Sequence, residues 1–191
     1  LTKTQRTGWS TVYSYDGAGR LATVVNAFGR SLSFAYTGDK LTAAVTPDGR
    51  TVAYTYSTSG LLSAVVYPDG TSRQFLYESS SHPRALTGVA DETGVRWGTF
   101  GYDDQGRATS AELAEGVNRY AVSYPSSSSA TVVDPLGTSR TYSYATNKGK
   151  LVVTSGSLPS GEGGADAAGR GQGANGLITS EIDFNGVVAT T

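Results

Sequence analysis

The sequence predicts an all-β fold, an antiparallel meander of β-hairpins. Three observations predict it. Aromatic-x-Tyr doublets return about every twenty residues, strand-like runs opening with leucine keep the same beat, and glycine-containing turns separate the two. Alternation with a period of two, rich in Val, Thr and Tyr, marks half-buried strands, and no stretch shows the 3.6-residue period of an amphipathic helix.

The doublets come first in each unit. They are Tyr13/Tyr15, Phe34/Tyr36, Tyr54/Tyr56, Phe75/Tyr77, Phe100/Tyr102, a weakened Val122/Tyr124, and Tyr142/Tyr144, with their second members 21, 20, 21, 25, 22 and 20 residues apart. Ten of the twelve tyrosines fall in this register, so chance is a poor explanation. Side chains two apart on a strand share a face, so the doublets are expected to form aromatic stripes across successive units. Paired rings add about 0.5–1.5 kcal/mol beyond the area they bury.

The second strand of each unit opens at Leu21, Leu41, Leu62, Leu86, Ala108, Ala130 or Leu151, and the first three place Val25, Val45 and Val66 four residues on. A turn follows: Asp48-Gly49, Asp69-Gly70, Thr93-Gly94, Leu136-Gly137 or Asn185-Gly186. These dipeptides are expected to be two-residue hairpin loops, whose central positions both take positive φ. The tyrosine strand returns through "YDGAGRL" (15–21), "YTGDKL" (36–41) and "YDDQGRA" (102–108). Two strands and two tight turns thus make a unit, and about seven units are expected across 1–154.

The beat breaks at 155–176, "SGSLPSGEGGADAAGRGQGANG", where eight glycines and few apolar residues predict a loop or linker. Residues 177–191 resume a strand, an Asn-Gly turn and the start of another strand, which reads as a further, truncated repeat. With no methionine anywhere, the sequence is expected to be trimmed from a longer chain.

Composition narrows the function classes. The 191 residues are 38% hydrophobic and 16% charged, which suits a folded domain or a short repeat array. Fifteen basic residues against sixteen acidic ones, net −1, provide no electrostatic footprint for nucleic acid. Cysteine is absent, so there is neither a disulfide framework nor a thiolate metal site. No run approaches the roughly 20 apolar residues of a membrane-spanning helix, and "LTKTQRTGWS" lacks the apolar core of a signal peptide.

The segments "YSYDGAGRL" (13–21), "VTPDG" (45–49), "VDPLG" (133–137) and "GYDDQGR" (101–107) resemble the YD repeats of the RHS family. The resemblance covers about 10–154 and again 177–191. "YTGDK" and "YSTSG" depart from it by lacking Asp after Tyr, and "YESSSHPRAL" carries an insertion. It implies a strip of β-hairpins that curves and winds spirally into a hollow shell. In bacterial members the shell encloses a C-terminal toxin domain delivered by secretion machinery such as the type VI system. Teneurin-like cell-surface proteins are the eukaryotic relatives. The partners it implies are the rest of the parent chain and enclosed toxin cargo, with glycan as a further one, in a secreted or cell-surface setting.

Three groups of residues raise a chemical question. Asp134-Pro135-x-Gly137 resembles the start of the Asp-Pro-x-Gly-Leu signature at which such shells cleave themselves, but Thr138 replaces the leucine and the tetrapeptide occupies a hairpin-turn position. His82, the only histidine, has no second histidine or cysteine to join it as a metal ligand. Arg20, Arg50, Arg73, Arg107 and Arg140 recur near turns, where pairing with a nearby carboxylate is the expected role.

The expectation is therefore a structural shell segment without catalytic, metal or cofactor-binding residues. Its characteristic positions are the doublet aromatics and the turn residues Asp48, Gly49, Asp69, Gly70, Gly94, Gly137, Asn185 and Gly186. A carbohydrate-binding or adhesive module is the second reading, and a self-assembling repeat filament the third, since open sheet edges invite self-association.

Overall fold

A computed structural model describes residues 1–4, 8–159 and 167–190. The chain divides into two units, Leu1–Trp97 and Gly98–Thr191. The first holds β1 (Thr2–Thr4), β2 (Ser10–Tyr15), β3 (Leu21–Val25), β4 (Ser31–Thr37), β5 (Lys40–Val45), β6 (Thr51–Tyr56), β7 (Leu62–Val66), β8 (Ser72–Leu76) and β9 (Gly88–Ala90). β10 (Arg96–Tyr102) begins there and carries the chain into the second unit. That unit continues with β11 (Ala108–Leu113), β12 (Tyr120–Ser126), β13 (Ser129–Val133), β14 (Ser139–Asn147), β15 (Lys150–Gly156), β16 (Gly169–Gln172), β17 (Ile178–Ile182) and β18 (Val188–Thr190).

Within each unit every strand pairs antiparallel with the next in sequence, as the all-β meander requires. The register sorts side chains by size. One face of the first unit carries Tyr13 opposite Val24, Phe34 opposite Ala44 and Tyr54 opposite Val65. The other carries Ser14 opposite Thr23, Ala35 opposite Ala43 and Thr55 opposite Ala64. Each unit is one sheet thick: among the described residues only Val89, Ala90 and Ala130 are buried apolar side chains.

A bulge recurs inside the doublets. Ser14 faces Thr23 but Tyr15 faces Leu21, which leaves Ala22 as an extra residue on the leucine strand. Thr42, Ser63, Thr109, Thr154 and Thr179 occupy the same extra position in later hairpins. Small hydroxyl residues suit it: Thr42 Oγ1 donates to the Ala35 carbonyl and Thr154 Oγ1 to the Ser143 carbonyl, both at 3.2 Å. A bulge bends its strand and adds local right-handed twist, and here it sets Leu21 against Tyr15 although Thr23, two residues on, faces Ser14.

The turns differ from the two-residue loops expected of Asp-Gly and Asn-Gly. Gly49, Gly70, Gly94, Gly137 and Gly186 have φ between 80° and 85°, whereas Asp48, Asp69, Thr93, Leu136 and Asn185 are not in the positive-φ region. Thr46 N donates to the Arg50 carbonyl and Gly49 N to the Thr46 carbonyl, both at 2.9 Å, so the loop has three residues, Pro47 to Gly49. This is a type I turn followed by one left-handed residue, the geometry of a three-residue hairpin loop. The same pair of hydrogen bonds closes Asp16–Arg20, Asn26–Arg30, Tyr67–Thr71, Asp91–Val95, Asp103–Arg107, Asp134–Thr138 and Asp183–Val187. A two-residue loop with both central residues at positive φ occurs elsewhere, at Lys148 (49°) and Gly149 (76°).

The stretch expected as a glycine-rich loop, 155–176, holds the end of β15, all of β16 and the Gly173–Leu177 turn frame; its residues 160–166 lie outside the described residues. β16 is a repeat strand in disguise. Its bulge falls between Gly171 and Gln172, as the β10 bulge falls between Gly101 and Tyr102. Arg170 and Gln172 stand where Phe100 and Tyr102 stand, so counting aromatics passes over it.

Candidate functional site

The most developed arrangement of side chains is a joint between successive hairpins. Backbone pairing of β3 with β4 ends at Thr23 opposite Ser33. Beyond that point the Tyr36 hydroxyl donates to the Leu21 carbonyl at 2.9 Å. The guanidinium of Arg20 lies 4.7 Å from the centre of the Tyr36 ring. Lys40 and Leu41 receive Tyr56 in the same way, at 5.0 Å to the ring centre and 2.8 Å for the hydrogen bond. Arg107 and Ala108 receive Tyr124 at 4.1 Å and 2.8 Å.

The Asp of the Tyr-Asp pair builds this joint from below. Asp16 Oδ1 accepts from the backbone N–H groups of Ala18 and Arg20, both at 2.9 Å, while Oδ2 takes Arg20 Nε at 2.8 Å. Arg20 is thereby aimed at Tyr36, and its Nη1 also donates to the Gly38 carbonyl. Asp103 repeats the pattern with Gln105 and Arg107. The Arg20 N–H is the main influence holding Asp16 below the ordinary carboxylate range, and the Arg107 N–H does the same for Asp103. One carboxylate therefore satisfies the turn and orients the cation that the next tyrosine covers.

The remaining doublet positions are distributed as follows. Tyr13 and Tyr15 lie on β2, with Tyr15 opposite Leu21. Tyr54 faces Val65, Phe75 faces Val89 and Phe100 faces Ala111. Tyr77 lies just beyond the end of β8. Tyr102 faces Ala108, Tyr142 faces Gly156 and Tyr144 faces Val153. Burial raises the Tyr144 phenol above its ordinary value, with Tyr124 and Tyr142 adding to the shift.

The arginines singled out in the sequence each meet a carboxylate. Arg20 pairs with Asp16, Arg50 with Asp48, Arg73 with Glu92, Arg107 with Asp103 and Arg140 with Asp134, at 2.6 to 2.9 Å. The sequence reading missed the stacking of Arg20, Lys40 and Arg107 on the following unit's tyrosine. Its signal is a cation directly before the first residue of the leucine strand.

Asp134 is a turn residue. Its Oδ1 accepts from the N–H groups of Leu136 and Thr138, both at 2.9 Å, and its Oδ2 meets Arg140 Nη1 at 2.6 Å. The Arg140 contact is the leading cause of its lowered pKa. Such a carboxylate is occupied as an acceptor on both oxygens and is held ionised. His82 lies in the segment between β8 and β9, its N–H bonded to Ser79 Oγ at 3.0 Å. Among the described residues no group of three or more His, Asp or Glu side chains is arranged to hold a metal ion.

The insertion around His82 is fastened at both ends. Arg96 forms two bonds to Glu78, at 3.1 and 2.8 Å, and a third to the Thr87 carbonyl at 2.9 Å. A Cβ on Gly88 would run into this guanidinium, so a larger residue there would have to displace Arg96 from its place.

A family model described as the Teneurin YD-shell matches residues 1–87. No curated protein matches the sequence. The crystal structure of TcdB2-TccC3 has a TM-score of 0.49 at 18% identity over 81% of this chain and 10% of that one. That of TcdB2-TccC3-TEV has a TM-score of 0.48 at 17% identity over 79% and 9%. The chain thus spans about a tenth of the length of these structures. Its repeating hairpins form a YD-shell-like fold, similar to the teneurin YD shell over the first four doublets.

Proposed function

We propose that this chain is a wall segment of an RHS-type shell, a structural element that encloses and carries a C-terminal effector domain and performs no catalysis. The observation that carries this reading is the construction of each unit. Consecutive strands pair along a sheet one layer thick, and the most elaborate side-chain contacts join one hairpin to the next. A sheet held in this way can be extended by adding units, and its loops can vary without disturbing the register. Many of its ionic side chains serve turns and joints, and Asp134, in its Asp-Pro-x-Gly turn, is committed to two N–H groups and Arg140.

The partners in this reading are the remainder of the parent polypeptide and its cargo, in a secreted or cell-surface setting with delivery by a system of the type VI kind. Limited proteolysis of the parent protein tests it. The effector region should resist protease while the hairpins are folded and become sensitive when Tyr36, Tyr56 and Tyr124 are all replaced by alanine. Equal sensitivity with and without the strip would overturn the reading.

A carbohydrate-binding or adhesive role is favoured by one observation. Trp9 and Phe28 are 56% and 70% exposed and meet edge to face at 5.2 Å, offering rings to solvent. Glycan-array binding lost in Trp9→Ala, with the fold retained, would support that reading over enclosure.

A further inference from the structure

The turn frames differ in how they neutralise the arginine that follows the glycine. In Asp16–Arg20 and Asp103–Arg107 the first residue is Asp: its Oδ1 takes two N–H groups and its Oδ2 takes the guanidinium. In Asn26–Arg30 the first residue is Asn. Its Oδ1 accepts from Phe28 N at 2.9 Å and Arg30 N at 3.0 Å, so the frame is intact. An amide has no anionic oxygen to offer, however, and among the described residues no carboxylate pairs with the exposed Arg30 side chain.

The next turn on the same rim of the sheet, Thr46–Arg50, also ends in arginine. Arg50 Nε is held by Asp48 Oδ2 at 2.7 Å, and the Arg50 side chain is 69% exposed. Asp48 is itself held below the ordinary carboxylate range, chiefly by the Thr46 hydroxyl and then by Arg50. Between these two turns lies an open cleft of about 480 Å³ lined by Arg30, Thr46, Pro47, Asp48 and Arg50. Two guanidinium groups and one carboxylate leave it with a net positive charge. The corresponding residues on the two following turns are Thr71 and Val95, neither of them charged.

We propose that this cleft is an oxyanion site, with Arg30 as its principal cation and Arg50 as its second, for a ligand that bears a carboxylate or a phosphate. A planar guanidinium matches both groups with two parallel N–H donors. Asp48 fixes Arg50 through Nε, so the terminal nitrogens are the ones turned to a ligand. This assignment is independent of the enclosure reading and stands or falls separately.

Titration of the 191-residue chain with inorganic phosphate and, separately, acetate tests the site, reading the arginine Nε–Hε signals by NMR at constant ionic strength. The Arg30 and Arg50 signals should shift saturably while exposed Arg84 does not. A response to phosphate but not acetate assigns the ligand group as phosphate; the reverse assigns carboxylate. Asn26→Asp is the informative variant, because it supplies the carboxylate that Asp16 gives Arg20 and keeps the turn hydrogen bonds. It should weaken binding by roughly tenfold or more, as should Arg30→Gln, a factor that corresponds to about 1.4 kcal/mol. Shifts of equal size at Arg84, no saturation, or undiminished binding in both variants would overturn the assignment.

Discussion

The Tyr36 hydroxyl donates to the Leu21 carbonyl at 2.9 Å, fifteen residues back along the chain, while the Arg20 guanidinium covers the ring of the same tyrosine. The tyrosine closes the gap where the β3–β4 ladder stops, so its hydroxyl, its ring and the preceding cation act as one joint. Removing the hydroxyl alone, in Tyr36→Phe, should cost about 1 kcal/mol in a denaturant titration, the usual scale for one hydrogen bond. Tyr36→Ala should cost more, and a double-mutant cycle with Arg20→Ala should show coupling of about 0.5–1 kcal/mol. Additive effects would mean that the cation and the ring do not form a unit.

The turn geometry distinguishes glycines of identical surroundings. A Cβ on Gly49 or Gly17 would meet nothing within 4 Å, but Gly49 has φ of 80° and Gly17 is not in the left-handed region. Gly49→Ala should therefore destabilise by about 1–2 kcal/mol through backbone strain alone. Gly17→Ala should be neutral or stabilising by up to about 1 kcal/mol, because it restricts the unfolded chain without straining the turn. Thermal melts of the two variants, measured side by side, decide the matter.

β16 lacks the ring that its register position carries elsewhere. Phe100 faces Ala111 in the β10–β11 hairpin, whereas Arg170 faces Glu181 and pairs with it at 2.6 Å. A cavity of about 170 Å³ beside Arg170 is lined also by Tyr142, Val153 and Gly156. Replacing both residues, Arg170→Phe with Glu181→Ala, restores the repeat pair and removes two charges together, so no ion is stranded. The double variant should be more stable by about 1 kcal/mol from ring burial. Either single change should be destabilising, and a stabilised Glu181→Ala would contradict this account.

The turn carboxylates make stability depend on acid. Asp16, Asp69, Asp91, Asp103 and Asp134 all have lowered folded-state pKa values: the leading causes are the Arg20 N–H, the Thr71 hydroxyl, the Thr93 hydroxyl, the Arg107 N–H and the Arg140 guanidinium, in that order. A depressed carboxylate contributes its stability fully above its ordinary value, 3.8 for Asp, and loses it as pH falls through the lower folded value. The melting temperature should be insensitive to these groups at neutral pH and should fall as pH drops below about 4. Asp103→Asn should flatten part of that decline, since the amide keeps the turn acceptor and no longer titrates.

Much of the fold was legible in the residue pattern. Doublets such as Tyr54-Thr55-Tyr56 alternate large and small side chains with period two, and this local rule indicates strands and which residues share a face. It works because pleated backbone leaves successive side chains no alternative but opposite faces. Glycines at fixed spacing likewise located the turns, but not their length: whether Asp48 takes positive φ depends on the hydrogen bond between Thr46 and Arg50, a pairing across the loop.

The tertiary structure alone decided how one hairpin is fastened to the next. That Arg20 would be held by Asp16 follows from their spacing, but that Tyr36 would seat on Arg20 and bond to Leu21 requires two strands to diverge at one end. Ladder length, bulge position and ring size set that divergence together, so no window of sequence contains it. The same reason hid β16: Arg170 and Gln172 erase the aromatic signature, while the bulge between Gly171 and Gln172 and the Gly173–Leu177 turn preserve the strand through backbone hydrogen bonds that any side chain permits.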